Sequence, residues 1–329
     1  MKIFYTTILS LAVLLVSPTV GAQEAATVTT KPAYVHISKQ DMMLYLCDSL
    51  GGHIAEYPMA CGRNVGDKQM VGDMKTPEGV FEVQQIQDAS SWTHDFKDGK
   101  GVIKNAYGPW FVRLLTPGHS GIGIHGTHAP ESIGTRATEG CMRLHNQNVA
   151  KLKPNLKVGM PVIITSSEAD MRVNISTGKD AQTPLYLKVS KQDMKLYVIN
   201  YLGNAIAEFP IACGTFYGNK RSAADLRKTP EGFFKIASIE DSSSWPAPEG
   251  DERGSYGPKY VRIGTKGFNG IGIYGSDNKK LFEENGARTT DGNIVLSSKD
   301  FKALEGYLRV GMSIHIIPSE TDLRVNRSK

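Results

Sequence analysis

The sequence predicts a mainly β protein built from two tandem copies of one domain. Three observations carry that expectation. A set of short segments recurs at a nearly constant offset, apolar residues come in short runs bounded by Gly, Pro and Asp, and helix signals are few. The copies are expected at residues 33–175 and 185–329. A polar linker over 176–184, with Gly178 and Pro184, would join them.

The repeat is read directly. Ser38-Lys39-Gln40-Asp41-Met42 returns as Ser190-Lys191-Gln192-Asp193-Met194, and Ala60-Cys61-Gly62 as Ala212-Cys213-Gly214, both 152 residues on. Lys75-Thr76-Pro77-Glu78-Gly79 returns at Lys228 to Gly232, Tyr107-Gly108-Pro109 at Tyr256 to Pro258, and Gly121 to Ile124 at Gly270 to Ile273. Val158-Gly159-Met160 matches Val310 to Met312, and Arg172-Val173-Asn174 matches Arg324 to Asn326. Small changes of offset mark loop insertions, whose closure entropy is low.

Within the first copy, Met42 to Cys47, Ile54 to Ala60, Val80 to Ile86, Trp110 to Leu115 and Val162 to Thr165 read as strands. Leu50-Gly51-Gly52 marks a hairpin turn, repeated at Leu202-Gly203-Asn204. The clearest helix is Lys299 to Leu308, where Ser297 followed by Asp300 resembles a capping box. Its counterpart begins near Asn146.

Residues 1–22 read as a secretory leader: Lys2, the apolar run Ile8 to Val16, then Val20-Gly21-Ala22, with the mature chain starting near Gln23. The expectation is an exported protein of the periplasm or cell envelope, with no integral membrane segment in the mature chain. A net charge of +5 over 329 residues is too weak and dispersed to argue for nucleic acid. Cys61 and Cys213 end equivalent apolar strands as packing residues; Cys47 lacks a counterpart, and a Cys47–Cys61 bridge stays open. Cys141 alone sits among glycine, histidine and arginine.

That setting suits a nucleophile. A thiolate is favoured by a nearby imidazole, a guanidinium and free backbone N–H groups, and His125-Gly126-Thr127 … Thr138-Glu139-Gly140-Cys141-Met142-Arg143 supplies all three. His125 is the candidate general base, and the N–H groups of Gly140 and Cys141 are candidate oxyanion donors. Arg143 suits a substrate carboxylate or a structural salt bridge; Gly126, Thr127, Thr138 and Glu139 are further candidate substrate contacts, with Thr127 and Thr138 shaping the site by hydrogen bonding rather than reacting. His119, His128 and His145 read as exposed or capping histidines.

His-Gly-Thr, Pro-x-Ser-Ile-Gly and Thr-x-Gly-Cys-Met-Arg, downstream of Thr76-Pro77-Glu78-Gly79-Val80-Phe81, resemble the signature of the L,D-transpeptidase catalytic-domain family over most of residues 34–165. The resemblance implies a β-rich, sandwich-type fold with short helices and no cofactor. It also implies a Cys141 thioester at the third residue of a peptidoglycan donor stem, with loss of D-alanine and transfer to an amine for 3→3 cross-linking or attachment. One position departs: the family usually has histidine where this chain has Glu139, whose negative charge opposes thiolate formation if it points inward.

The second copy keeps the scaffold markers and loses the chemistry. Tyr274, Asn293 and Val295 stand where His125, Cys141 and Arg143 stand in the first, so it reads as an inactive duplicate. Three other readings are open. His125-x2-His128 with Cys141-x3-His145 has zinc-like spacing, although all four positions change in the second copy, to Tyr274, Asp277, Asn293 and Ser297. Water as acceptor would make an L,D-carboxypeptidase or amidase. Loss of catalysis would leave a peptidoglycan-binding envelope protein.

Overall fold

A computed structural model describes residues 31–97, 99–246 and 256–327 of the chain. The leader expected over residues 1–22 lies outside them. In the first copy the strands are β1 (Pro32–Ser38), β2 (Met43–Asp48), β3 (His53–Gly62), β4 (Gly79–Asp88), β5 (Thr93–Asp95), β6 (Val102–Lys104), β7 (Trp110–Leu115), β8 (Gly123–His125), β9 (Arg136–Thr138), β10 (Met142–Leu144) and β11 (Pro161–Thr165). Helices α1 (Asn146–Leu152) and α2 (Glu168–Asn174) accompany them. In the second copy they are β12 (Pro184–Ser190), β13 (Lys195–Asn200), β14 (Ala205–Pro210), β15 (Cys213–Gly214), β16 (Gly232–Asp241), β17 (Lys259–Ile263), β18 (Gly272–Ser276), β19 (Arg288–Thr290), β20 (Ile294–Ser297) and β21 (Ser313–Ile317). Their helices are α3 (Lys280–Glu283), α4 (Ser298–Leu304) and α5 (Glu320–Arg327).

Each copy folds into its own mainly β, barrel-like sheet, the expected fold class. In the first the order is β10-β8-β7-β4-β11-β1-β2-β3-β9, and β10 also pairs with β3, so the sheet closes on itself and removes its open edges. The second follows β14-β13-β12-β21-β16-β17-β18-β20 and closes by the bridge Ala212↔Val295. The inward faces supply two separate cores, one centred on Val35, Leu44, Met59, Ile124, Met142 and Ile164, the other on Leu187, Val198, Ile273, Leu296 and Ile314.

Local chemistry explains the elements. At the β2–β3 turn, Asp48 Oδ1 accepts from the N–H groups of Leu50 and Gly52 at 2.8 and 2.9 Å, and Gly51 takes the positive φ of 91° that a side chain would resist. Ser297 caps α4 by accepting from Asp300 N–H at 3.0 Å. A full capping box at Ser167 and Asp170 starts α2, a helix the sequence reading passed over.

A buried ionic cluster ties each copy together. Lys39 Nζ lies 2.6 Å from Glu78 and 3.2 Å from Asp170, while Arg136 reaches the other Asp170 oxygen at 2.7 Å. Lys191, Glu231, Asp322 and Arg288 repeat it. Because Arg136 begins the strand leading to Cys141, this cluster fixes where that loop departs from the barrel.

The copies pack through a further apolar cluster. Tyr34 of β1 meets Phe233 at 5.5 Å and His315 at 5.0 Å between ring centroids, and Ser166 N–H donates to Tyr201 O at 2.8 Å. Cys47 is buried in this joint, whereas Cys61 belongs to the first copy's core. All four cysteines are free, so the Cys47–Cys61 bridge does not form. Cys47 faces His53 at the turn end of the hairpin, and Cys61 lies eight residues farther along β3. At ~3.3 Å per residue that is a separation of roughly 26 Å, far beyond the ~7 Å reach of a disulfide.

Candidate active site

Strands β8 and β10 run parallel, with Met142 abreast of Ile124 and Arg143 abreast of His125. The same register sets Cys141 beside Gly123. Alternation along the strands then sends Cys141, His125 and Arg143 to one face, where all three line a cleft of about 510 Å³. Gly123 is needed there, since a Cβ would lie 2.4 Å from Phe111 Cε1. The admitted Phe111 ring stacks on the His125 imidazole at 5.4 Å and 6°, and Tyr107 meets it edge-on at 5.0 Å.

His125 is 2% exposed, and its Nδ1 lies 2.6 Å from Gly126 O. A carbonyl only accepts, so Nδ1 carries the proton and Nε2 is the basic nitrogen. Burial pushes the imidazole down to about 3, an effect that the Gly126 bond opposes and the nearby Arg143 charge reinforces. The Cys141 thiol donates to Gly121 O at 3.3 Å. Burial pushes it up to about 11; a hydrogen bond from the Gly123 backbone opposes this, the Glu139 charge adds to it, and Arg143 and Arg113 pull the other way. The resting pair at neutral pH is therefore a thiol beside a neutral imidazole.

The loop before Cys141 is held from beneath. Gly140 has φ 131°, and a Cβ there would sit 2.6 Å from Lys75 O. Thr76 Oγ1 donates to Gly140 O at 2.9 Å and accepts from Gly62 N–H at 2.8 Å. Thr138 Oγ1 donates to Cys141 O at 2.7 Å and accepts from Gly140 N–H at 3.1 Å. This bears on two sequence expectations. The Gly140 N–H already has an acceptor inside the protein, whereas the Cys141 N–H has none among the described residues. The Thr138 hydroxyl is likewise committed to the loop.

Other expected contacts move away. Thr127 faces a neighbouring pocket with Asn105, His128, Pro130, His145 and Asn146, its N–H donating to Asn146 Oδ1 and its hydroxyl accepting from Ala129 N–H. Gly126 is a packing position, where a Cβ would meet Asn146 Oδ1 at 2.2 Å. Neither lines the cysteine cleft. His128 and His145 also face that second pocket, so the zinc-like quartet is divided between two cavities. Among the described residues no three His, Cys, Asp or Glu side chains form a metal-binding group. Arg143 does line the cleft; its Nη1 donates to Ser132 Oγ at 2.9 Å and its buried Nε has no partner among the described residues.

The sequence reading missed the cleft's other wall. The β5–β6 hairpin brings Trp92, His94 and Phe96 to the cleft that Cys141 lines, together with Tyr107, Arg113 and Val71. His94 Nε2 stands 3.3 Å from Glu139 Oε2, and Arg143 lies over the Phe96 ring at 5.9 Å. Only the paired repeats Tyr107 and Tyr256 hinted at this wall.

In the second copy the corresponding ground is filled. Tyr260, in the place of Phe111, has its hydroxyl 2.9 Å from Asn293 Oδ1 and 3.1 Å from Gly270 O, sharing its single proton between them, while Gly272 N–H donates to Asn293 Oδ1 at 2.9 Å. The backbone positions that serve Cys141 in the first copy are thus occupied by side-chain bonds in the second.

The chain belongs to the L,D-transpeptidase catalytic-domain family (YkuD), whose profile matches it twice, over residues 32–164 and 184–316. Among curated relatives, YqjB of Bacillus subtilis is 35% identical over 95 residues, covering 28% of this chain and 53% of that protein. YkuD of Bacillus licheniformis is 29% identical over 131 residues, 40% of this chain and 63% of that one. The chain thus spans between half and two thirds of the length of these relatives. Among solved structures, the helical cell shape determining protein Pgp2 of Campylobacter jejuni is 25% identical, with a TM-score of 0.31, covering 42% of this chain and 48% of that one. Bd1075 of Bdellovibrio bacteriovorus is 23% identical, with a TM-score of 0.31, covering 45% and 55%. Among the described residues no helix is long and apolar enough to cross a membrane.

Proposed function

We propose that the first domain is a peptidoglycan L,D-transpeptidase with Cys141 as nucleophile and His125 as base, acting in the periplasm or cell envelope. The observation that carries this is the sharing of one cleft by Cys141 and His125, with the His125 Nδ1 proton committed to Gly126 O. The basic Nε2 takes the thiol proton as sulfur attacks the carbonyl of the third stem residue. The tetrahedral oxygen is held by the Cys141 N–H, within the field of Arg143 and Arg113. Collapse breaks the amide bond, His125 returns the proton to the leaving D-alanine amine, and a thioester remains. An acceptor amine then attacks the thioester, gives its proton to His125 and releases the thiol.

A raised thiol value suits this order, because deprotonation coupled to attack avoids a standing thiolate in the resting site. The second domain, which lacks both reacting groups, serves as a catalytically silent partner packed against the first. The test is incubation of mature protein and Cys141→Ala with disaccharide-tetrapeptides, followed by mass spectrometry of the muropeptides. Cys141-dependent dimers that have lost one D-alanine support transpeptidation, and tripeptides without dimers assign water as acceptor. Unchanged muropeptides together with retention on purified sacculi would replace the enzyme reading by a binding protein.

A further inference from the structure

We propose that His94 is a positioning residue of the Cys141 site, holding the Glu139 carboxylate at the mouth of the cleft. This rests on the assignment of Cys141 as nucleophile.

Glu139 lies two residues before the sulfur, and its charge opposes thiolate formation. A carboxylate there without a partner would handicap the nucleophile. His94 meets it from the hairpin at 3.3 Å, with the imidazole braced between Phe96 at 4.5 Å and Tyr107 at 5.6 Å. Tyr107 in turn packs on His125. One imidazole thus reaches the mouth of the cleft from the hairpin, beside a loop position that carries an acid.

The second copy pairs the same position although it carries no nucleophile. Asp291, the counterpart of Glu139, is met at 3.3 Å by Arg227, from the loop before Lys228. The first copy has Met74 at the position of Arg227 and offers no cation there. In each copy the acid at this point faces a basic side chain, recruited from a different loop. Other charged or titratable groups lining the first cleft are Asp95, Lys97, Tyr107, Arg113, His125 and Arg143. Asp95 and Lys97 sit on the hairpin itself, while Arg113 and Arg143 act on the sulfur directly.

The test is a double-mutant cycle read by iodoacetamide alkylation of Cys141 from pH 6 to 10, quantified by peptide mass spectrometry. His94→Ala is expected to slow alkylation at neutral pH about threefold or more, by exposing the thiolate to an unpaired carboxylate. Glu139→Gln is expected to speed it, and His94→Ala in the Glu139→Gln background is expected to change nothing further. Equal slowing in both backgrounds, or no slowing in either, overturns the proposal. Alkylation needs no peptidoglycan, so failure of the transpeptidase reading on muropeptides stays distinguishable from failure of this one.

Discussion

Replacing Thr76 by Val removes one hydroxyl while keeping the side-chain shape, and the two copies supply an internal control. Thr76 is fully buried, accepting from Gly62 N–H at 2.8 Å and donating to Gly140 O at 2.9 Å. Thr229 makes the same pair of bonds in the second copy, to Gly214 N–H and Gly292 O at 2.8 and 2.9 Å. Each substitution strands two buried backbone groups at about 1–3 kcal/mol apiece, so about 2–6 kcal/mol of stability is expected to go in either copy. Function separates them. Gly140 precedes the nucleophile, so Thr76→Val is expected to slow Cys141 alkylation severalfold, whereas Thr229→Val leaves it unchanged. Urea denaturation measures the first quantity and timed labelling in native buffer the second. A cost below about 1 kcal/mol for Thr76→Val, or equal loss of Cys141 reactivity in both variants, would refute the argument.

Cys141 is expected to be the one thiol that labels in native protein, because Cys47, Cys61 and Cys213 are at most 1% exposed; all four should label in denaturant without prior reduction. With the thiol pushed up to about 11, the alkylation rate should climb about tenfold per pH unit through neutrality; a plateau below pH 8 would contradict the site description. Asp170→Asn should destabilise the first copy by about 3–5 kcal/mol in urea titrations, since Lys39 and Arg136 would keep buried charge with a weakened partner. Burial raises the Asp170 carboxyl, but Lys39, Ser167 and backbone N–H groups together bring it to about 2. A depressed folded value means its contribution is complete above about pH 4 and is lost as pH falls through about 2, so the variant should lack that part of the acid transition.

The duplication, the strand runs and the pairing of His125 with Cys141 were legible because each rests on residues close in sequence or repeated 152 apart. What escaped depends on long-range contact. His94 lies 45 residues before its partner Glu139, on a short hairpin with no strong alternation. Closure of the barrel rests on two residues of β10 meeting β3, a pairing no local pattern announces. Thr127 was assigned to the wrong cavity because chain proximity to His125 says nothing about the direction a side chain takes after a strand ends. Gly140 was read as an oxyanion donor on its freedom of approach, but the Thr138 hydroxyl two residues back captures its N–H. The helix α2 was readable, since Ser167 and Asp170 have capping-box spacing; its apolar content was too low to draw notice.

The most direct test of the central claim is acid-quenched mass spectrometry of protein mixed with a disaccharide-tetrapeptide donor and no acceptor. A hydroxylamine-labile acyl adduct on the Cys141 peptide is expected, absent from Cys141→Ala, with the second domain unmodified. Release of D-alanine that persists in Cys141→Ala, or an adduct mapped to residues 185–329, would contradict that claim.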